Sequence, residues 1–209
     1  MFKRCSKLVL VLVLTFLTIF SLISLNEYFM KRLYPTKYDY FIEKFSRKYK
    51  VRKTLIYAVI KTESDFDKNA KSKSNALGMM QITGETFGWL LDFEARNSKN
   101  NKIKKYKKLK IDDLFDPEIN IKYGTYFISI LLSKYKDEKT ALAAYNAGMG
   151  RVDYWLKNKS FSEDGITLIK IPFKETEDYV QKVFKSEEVY KNLYSKNELS
   201  CYNARVEGS

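Results

Sequence analysis

The chain has 209 residues, 45% of them hydrophobic and 15% aromatic, enough to fill one core in a domain of this size. Its formal net charge is +13 and it contains no histidine, which excludes Ser-His-Asp and Cys-His catalysis and the histidine ligands of the common catalytic zinc sites. The two cysteines, Cys5 and Cys201, are too few and too far apart for a metal cluster or a disulfide framework, so hydrolase-type chemistry here rests on carboxylates, with Tyr, Ser or Lys in support.

Leu8 to Leu25 is an apolar stretch without a charge, preceded by Lys3, Arg4 and Lys7. At about 1.5 Å per residue it makes a helix of roughly 27 Å, long enough to cross a bilayer core. A secretory signal peptide is the competing reading. It would have a shorter hydrophobic region and an A-x-A-like site, whereas this stretch leads into Asn26-Glu27-Tyr28-Phe29-Met30, which favours an uncleaved anchor. The basic residues keep residues 1–7 cytoplasmic and place 26–209 outside the membrane. On that topology Cys5 and Cys201 lie on opposite sides and cannot pair within one molecule. The positive charge raises the question of nucleic acid, but location argues against it: outside the membrane the polyanions are wall polymers and lipid head groups.

Residues 26–36 read as a linker ending near Pro35. Phe41, Ile42, Phe45 and Tyr49 then repeat at helical spacing and start a folded domain at about residue 37. In the next helix Leu55, Ile56, Val59 and Ile60 mark one apolar face, and Glu63 continues it at i+4 from Val59 and i+3 from Ile60. A carboxyl aimed at the interior loses water, which disfavours its charged form and raises its pKa, as a general acid near neutral pH requires. For Glu63 alone, a helix-end residue bending out to solvent is the plainer alternative. Asp65 lies two residues on, rotated by roughly 200°, and so faces away as a helix-end or loop residue.

The Asn69–Asn75 stretch reads as a loop delivering Gly78-Met79-Met80-Gln81. Residues 96–110 are dominated by Lys and Asn, with Ile103, Tyr106 and Leu109 every third residue. This is a solvated loop or a short basic helix with one apolar edge, and contact with membrane or anionic wall polymers is its functional alternative. Asp116-Pro117 gives an N-cap followed by proline, starting a helix with Ile121, Tyr123, Tyr126, Phe127, Ile130 and Leu131. Lys139 to Tyr145 is a further helix, ended by Asn146-Ala147-Gly148. A last helix holds Tyr179, Val180, Val183 and Phe184 on one side, and 191–209 form a tail. No alternating run suits a sheet and no internal repeat is present, so the fold class is all-α.

Four motifs stand in order: Glu63-Ser64-Asp65-Phe66, Gly78-Met79-Met80-Gln81, Ala144-Tyr145-Asn146-Ala147-Gly148 and Ile171-Pro172-Phe173-Lys174-Glu175-Thr176. Leu114-Phe115-Asp116-Pro117-Glu118-Ile119-Asn120-Ile121 lies between the second and third. In this order and spacing they resemble the catalytic domain of the lytic transglycosylases of the soluble-lytic-transglycosylase type, relatives of goose-type lysozyme, over residues 37–190. The resemblance implies a lysozyme-like, two-lobed helical domain with a central cleft, acting on peptidoglycan glycan strands without a metal or other cofactor. It implies Glu63 as acid and then base at the bond between N-acetylmuramic acid and N-acetylglucosamine, helped by the substrate's 2-acetamido group, with the 6-hydroxyl closing onto C1 to leave a 1,6-anhydromuramoyl end.

By the same resemblance the Tyr145 hydroxyl orients Glu63, while Ser72, Met80, Gln81 and Asn146 line the sugar sites and Glu175 helps bind sugar. Singly, Tyr145 reads as a core aromatic and Met80 as core filling. Asn75 stands where many relatives have glycine, and asparagine tolerates left-handed backbone angles better than other non-glycine residues. The segment 96–110 is longer than the usual connection. A goose-type lysozyme that admits water and a non-catalytic wall-binding scaffold are the rival functions. Intact Glu63, Tyr145 and Gln81 argue against the scaffold.

Overall fold

The computed structural model describes residues 2–97 and 109–194. Most of the basic stretch 96–110 and the tail from 195, with Cys201, lie outside the described residues. These comprise eight α-helices: α1 (Phe2–Leu33), α2 (Asp39–Tyr49), α3 (Lys53–Ser64), α4 (Gly84–Asn97), α5 (Pro117–Tyr135), α6 (Glu138–Ala147), α7 (Met149–Leu156) and α8 (Lys174–Tyr194). A 3-10 turn spans Ile111–Phe115. Among the described residues the only β pairing is a pair of isolated bridges joining Leu77 to Lys71 and to Ile82.

The chain divides into two units. Of the described residues, one holds those up to Pro35 and those from Lys191, the other those from Thr36 to Tyr190. In the first, Leu12–Leu33 has a mean hydropathy of 1.6 and is long and apolar enough to cross a membrane. Phe16, Phe20, Leu22 and Ile23 are all exposed. Thr15 and Thr18 turn their hydroxyls back onto the carbonyls of Leu12 and Thr15, so these two hydroxyls are satisfied within the helix. The helix runs on to Leu33, so the segment read as a linker is helical over most of its length.

In the second unit α5 is the central helix, in contact with α2, α4 and α6. The Asp116 carboxylate accepts from the Ile119 N–H at 3.1 Å and Pro117 occupies the first turn, as the sequence indicates. Ile121, Tyr123, Phe127, Ile128, Leu131 and Tyr135 are buried along it. Helix α3 is buried from Lys53 through Ile60. Its start is fixed by charge: Lys53 pairs with Asp39 and Glu43 of α2, and Arg52 with Glu138 of α6 and Glu187 of α8.

Helix α4 has no counterpart in the sequence reading. Thr83 starts it by accepting from the Thr86 N–H at 3.2 Å, Phe87 and Leu90 are buried, and Glu94 meets Lys122 at 3.0 Å and the Tyr123 hydroxyl at 2.9 Å. Helix α7 was likewise not expected. Gly148, at φ 90°, ends α6 and caps α7 at once.

Candidate active site

Glu63 lies in the last turn of α3, one residue before the helix ends. Asp65 and Phe66 follow in the left-handed region, at φ 51° and 67°, and turn the chain away. Asp65 points to solvent and pairs with Lys61 at 2.5 Å, so it is no partner for Glu63. Burial pushes the Glu63 carboxyl from its ordinary value up to about 7. The hydroxyl of Tyr179, on α8, stands next to this carboxyl and partly offsets the rise. It falls short of a hydrogen bond and has no other hydrogen-bond partner among the described residues. Burial and then the Glu63 charge hold the Tyr179 phenol well above its usual range.

The Gly78-Met79-Met80-Gln81 loop is held against Glu63 by side chains from three helices. Ser64 of α3 donates to the Met79 carbonyl at 2.9 Å, and Tyr145 of α6 donates to the Met80 carbonyl at 2.7 Å. Asn120 of α5 accepts from the Met80 N–H at 2.7 Å and donates to the carbonyls of Leu77 and Leu114. Gly78 is required where it stands: its φ is 72°, and an added Cβ would lie 2.2 Å from the Asn120 amide. At Gly124 a Cβ would fall 2.3 Å from the Met80 sulfur, so α5 gives way to seat the loop. Asn75 adopts φ 58°, the conformation its residue type permits.

Six of the seven residues expected from the sequence, Glu63, Ser72, Gln81, Tyr145, Asn146 and Glu175, line one cavity of about 300 Å³. Ser72 shares a 2.9 Å hydrogen bond with Ser74 and accepts from the Ala76 N–H. Gln81 spends its amide N–H groups on the carbonyls of Gly78 and Ala70, leaving its oxygen as acceptor. The Asn146 side chain accepts from the Thr176 hydroxyl at 2.9 Å, which ties the third motif to the fourth. Glu175 is exposed in the first turn of α8.

Met80 does not line the cavity. Its side chain is fully buried, and it serves the site through its backbone. The Tyr145 hydroxyl, expected to orient Glu63, is committed to the Met80 carbonyl instead. Tyr179 is the phenol whose hydroxyl stands next to Glu63, and the sequence offered only its place on the apolar side of α8. An aromatic one turn after Glu175 on the same helix is the one local signal for it.

Chemically, the cavity brings together the Glu63 carboxyl with its raised pKa, the exposed Glu175 carboxylate and the Arg151 guanidinium, among hydroxyl and amide groups. That suits protonation of a polyhydroxylated, uncharged leaving group.

Residues 40–167 match the family described as Transglycosylase SLT domain. The soluble lytic murein transglycosylase of Salmonella typhimurium is 28% identical over 81% of this chain and 25% of its own length. Membrane-bound lytic murein transglycosylase C of Serratia proteamaculans is 36% identical over 56% of this chain and 32% of its own. The crystal structure of the 70 kDa soluble lytic transglycosylase from Escherichia coli superposes with a TM-score of 0.65 at 24% identity, covering 81% of this chain and 26% of that one. The chain thus spans between 24% and 36% of the length of these and similar curated relatives.

Proposed function

Because the chain belongs to the transglycosylase SLT-domain family, we propose that it is a peptidoglycan lytic transglycosylase with Glu63 as its acid and base. The observation that carries this reading is a cavity-lining carboxyl pushed up to about 7, which holds its proton at neutral pH in roughly half the molecules. Glu63 gives this proton to the oxygen bridging N-acetylmuramic acid and N-acetylglucosamine, and the bond from that oxygen to C1 breaks. The 2-acetamido group of the muramic acid stabilises C1 as positive charge develops there. Glu63, now a carboxylate, takes the proton of the same sugar's 6-hydroxyl, whose oxygen closes onto C1. The proton returns to Glu63 and no water is consumed. Ser72, Gln81, Asn146 and Glu175 hold the sugars by hydrogen bonds. Ser64, Asn120 and Tyr145 act through the loop that positions Gln81.

In the same reading α1 anchors the enzyme in the membrane in a single pass. Lys3, Arg4 and Lys7 stay on the cytoplasmic side and the catalytic unit lies outside. The basic segment 96–110 holds anionic wall polymers without taking part in catalysis.

Purified peptidoglycan digested with the full-length chain and examined by mass spectrometry tests the reaction. The expected muropeptides are one water lighter than hydrolytic products and end in 1,6-anhydro-N-acetylmuramic acid. Reducing-end muropeptides alone identify a lysozyme, and uncut peptidoglycan identifies a binding scaffold.

A further inference from the structure

Arg151 stands in the first turn of α7 and lines the same cavity as Glu63, yet has no role in the chemistry described above. Its guanidinium lies 5.0 Å from the centre of the Phe173 ring. Phe173 in turn meets Trp155 edge-on at 5.2 Å, and Trp155 is buried. The guanidinium of this exposed residue therefore rests on the Phe173 ring, which is itself seated against the buried Trp155. A guanidinium covered on its face keeps its in-plane N–H donors available. Those donors are unspent: Arg151 forms no ion pair or side-chain hydrogen bond among the described residues. Neither Glu63 nor Glu175, the two carboxyl groups lining the cavity, neutralises it, and the state of Glu63 is set by burial and Tyr179.

A planar fork of donors on the wall of a binding cavity matches a planar anion with two acceptor oxygens. Building on the function proposed above, we infer that Arg151, propped by Phe173, recognises a carboxylate of the glycan strand and so selects strands bearing muramic acid over neutral amino-sugar polymers. Two sources supply that carboxylate. One is the lactyl group on O3 of a muramic acid without peptide, the other a carboxylate of the attached stem peptide.

The test measures binding to full-length Glu63→Gln protein in detergent, which removes turnover, with and without Arg151→Gln or Arg151→Lys. The probes are peptide-free glycan strands, the same strands with their lactyl carboxyls converted to neutral amides, strands with intact stem peptides, and an uncharged N-acetylglucosamine oligomer. Arg151→Gln should weaken binding of carboxylate-bearing strands by roughly tenfold and leave the neutral probes unchanged. Arg151→Lys, which keeps the charge without the fork, should fall between. A loss on peptide-free strands assigns the lactyl group, and a loss confined to peptide-bearing strands assigns the stem. Equal losses on neutral and anionic probes, or none on either, overturn the inference. Failure of the enzymatic reading is separate: it appears as uncut peptidoglycan with the unmutated chain.

Discussion

Two glutamates stand near the ends of α3 where it meets α8, and they differ most in the partner each is given. Glu187 of α8 is 2% exposed and receives hydrogen bonds from Arg52 at 2.9 and 3.2 Å and from the Thr54 hydroxyl at 2.9 Å. Its charge is met by a cation held for that purpose, and the Arg52 guanidinium is bound more firmly to its proton in return. Glu63, at the far end of α3, meets no cation among the described residues. A phenol that falls short of a hydrogen bond is its neighbour, and burial drives its carboxyl to about 7. Burial alone therefore does not make a carboxyl structural or chemical. The partner does: pairing turns Glu187 into a clasp between helices, and the absence of pairing leaves Glu63 able to give and recover a proton.

The largest test of this contrast is Glu63→Gln. Losing the acid and base should reduce peptidoglycan cleavage about a thousandfold or more. The same variant should be more stable than the parent, in a pH-dependent way. The folded-state pKa of Glu63 is raised above its ordinary 4.5, so the stability from its protonated form is fully present below 4.5 and is lost as pH rises through about 7. Thermal or urea unfolding should show no advantage for glutamine at pH 4 and about 3 kcal/mol by pH 8. An advantage that does not change with pH would mean the carboxyl is solvated in the folded protein.

Glu187→Gln should show the opposite pattern. It leaves Arg52 half-exposed with Glu138 as its remaining partner, and should cost about 2–3 kcal/mol in urea unfolding with activity per folded molecule retained. Lost activity at unchanged stability would erase the distinction between the two glutamates.

How much of this is visible in the sequence depends on what each residue meets across the fold. The stripe of Leu55, Ile56, Val59 and Ile60 places Glu63 on a buried face because helical period is local, and Asp116-Pro117 marks the start of α5 for the same reason. Helix α4 is hidden because Gly84 and Gly88 read as breaks and its apolar residues surround the axis. Its actual start, the Thr83 hydroxyl on the Thr86 N–H, is a single weak signal. Gly148, read as the end of α6, and Gly150 just after it hide α7, and Arg151 with it. Motif spacing collects Glu63, Ser72, Gln81, Tyr145, Asn146 and Glu175 at one cavity, but it cannot say which hydroxyl meets which acceptor. Tyr145, half-buried at the cavity wall, and Tyr179, buried, both stand near Glu63, and only the fold assigns Tyr145 to Met80 and Tyr179 to the neighbourhood of the carboxyl.

The smallest expected effect is that of Tyr179→Phe. The ring still packs, and the lost hydroxyl no longer lowers the Glu63 pKa. The descending limb of the pH–rate profile should move upward, with turnover reduced about five- to tenfold. An unchanged profile would make Tyr179 a packing residue only.

The most direct measurement is a 13C NMR titration of the Glu63 carboxyl in the full-length protein, with Glu63→Gln identifying the resonance. A midpoint near 7 is the result expected of an unpaired carboxyl in a water-poor cleft. A midpoint near the ordinary 4.5 would show Glu63 ionised throughout the neutral range and without the proton that the proposed reaction needs.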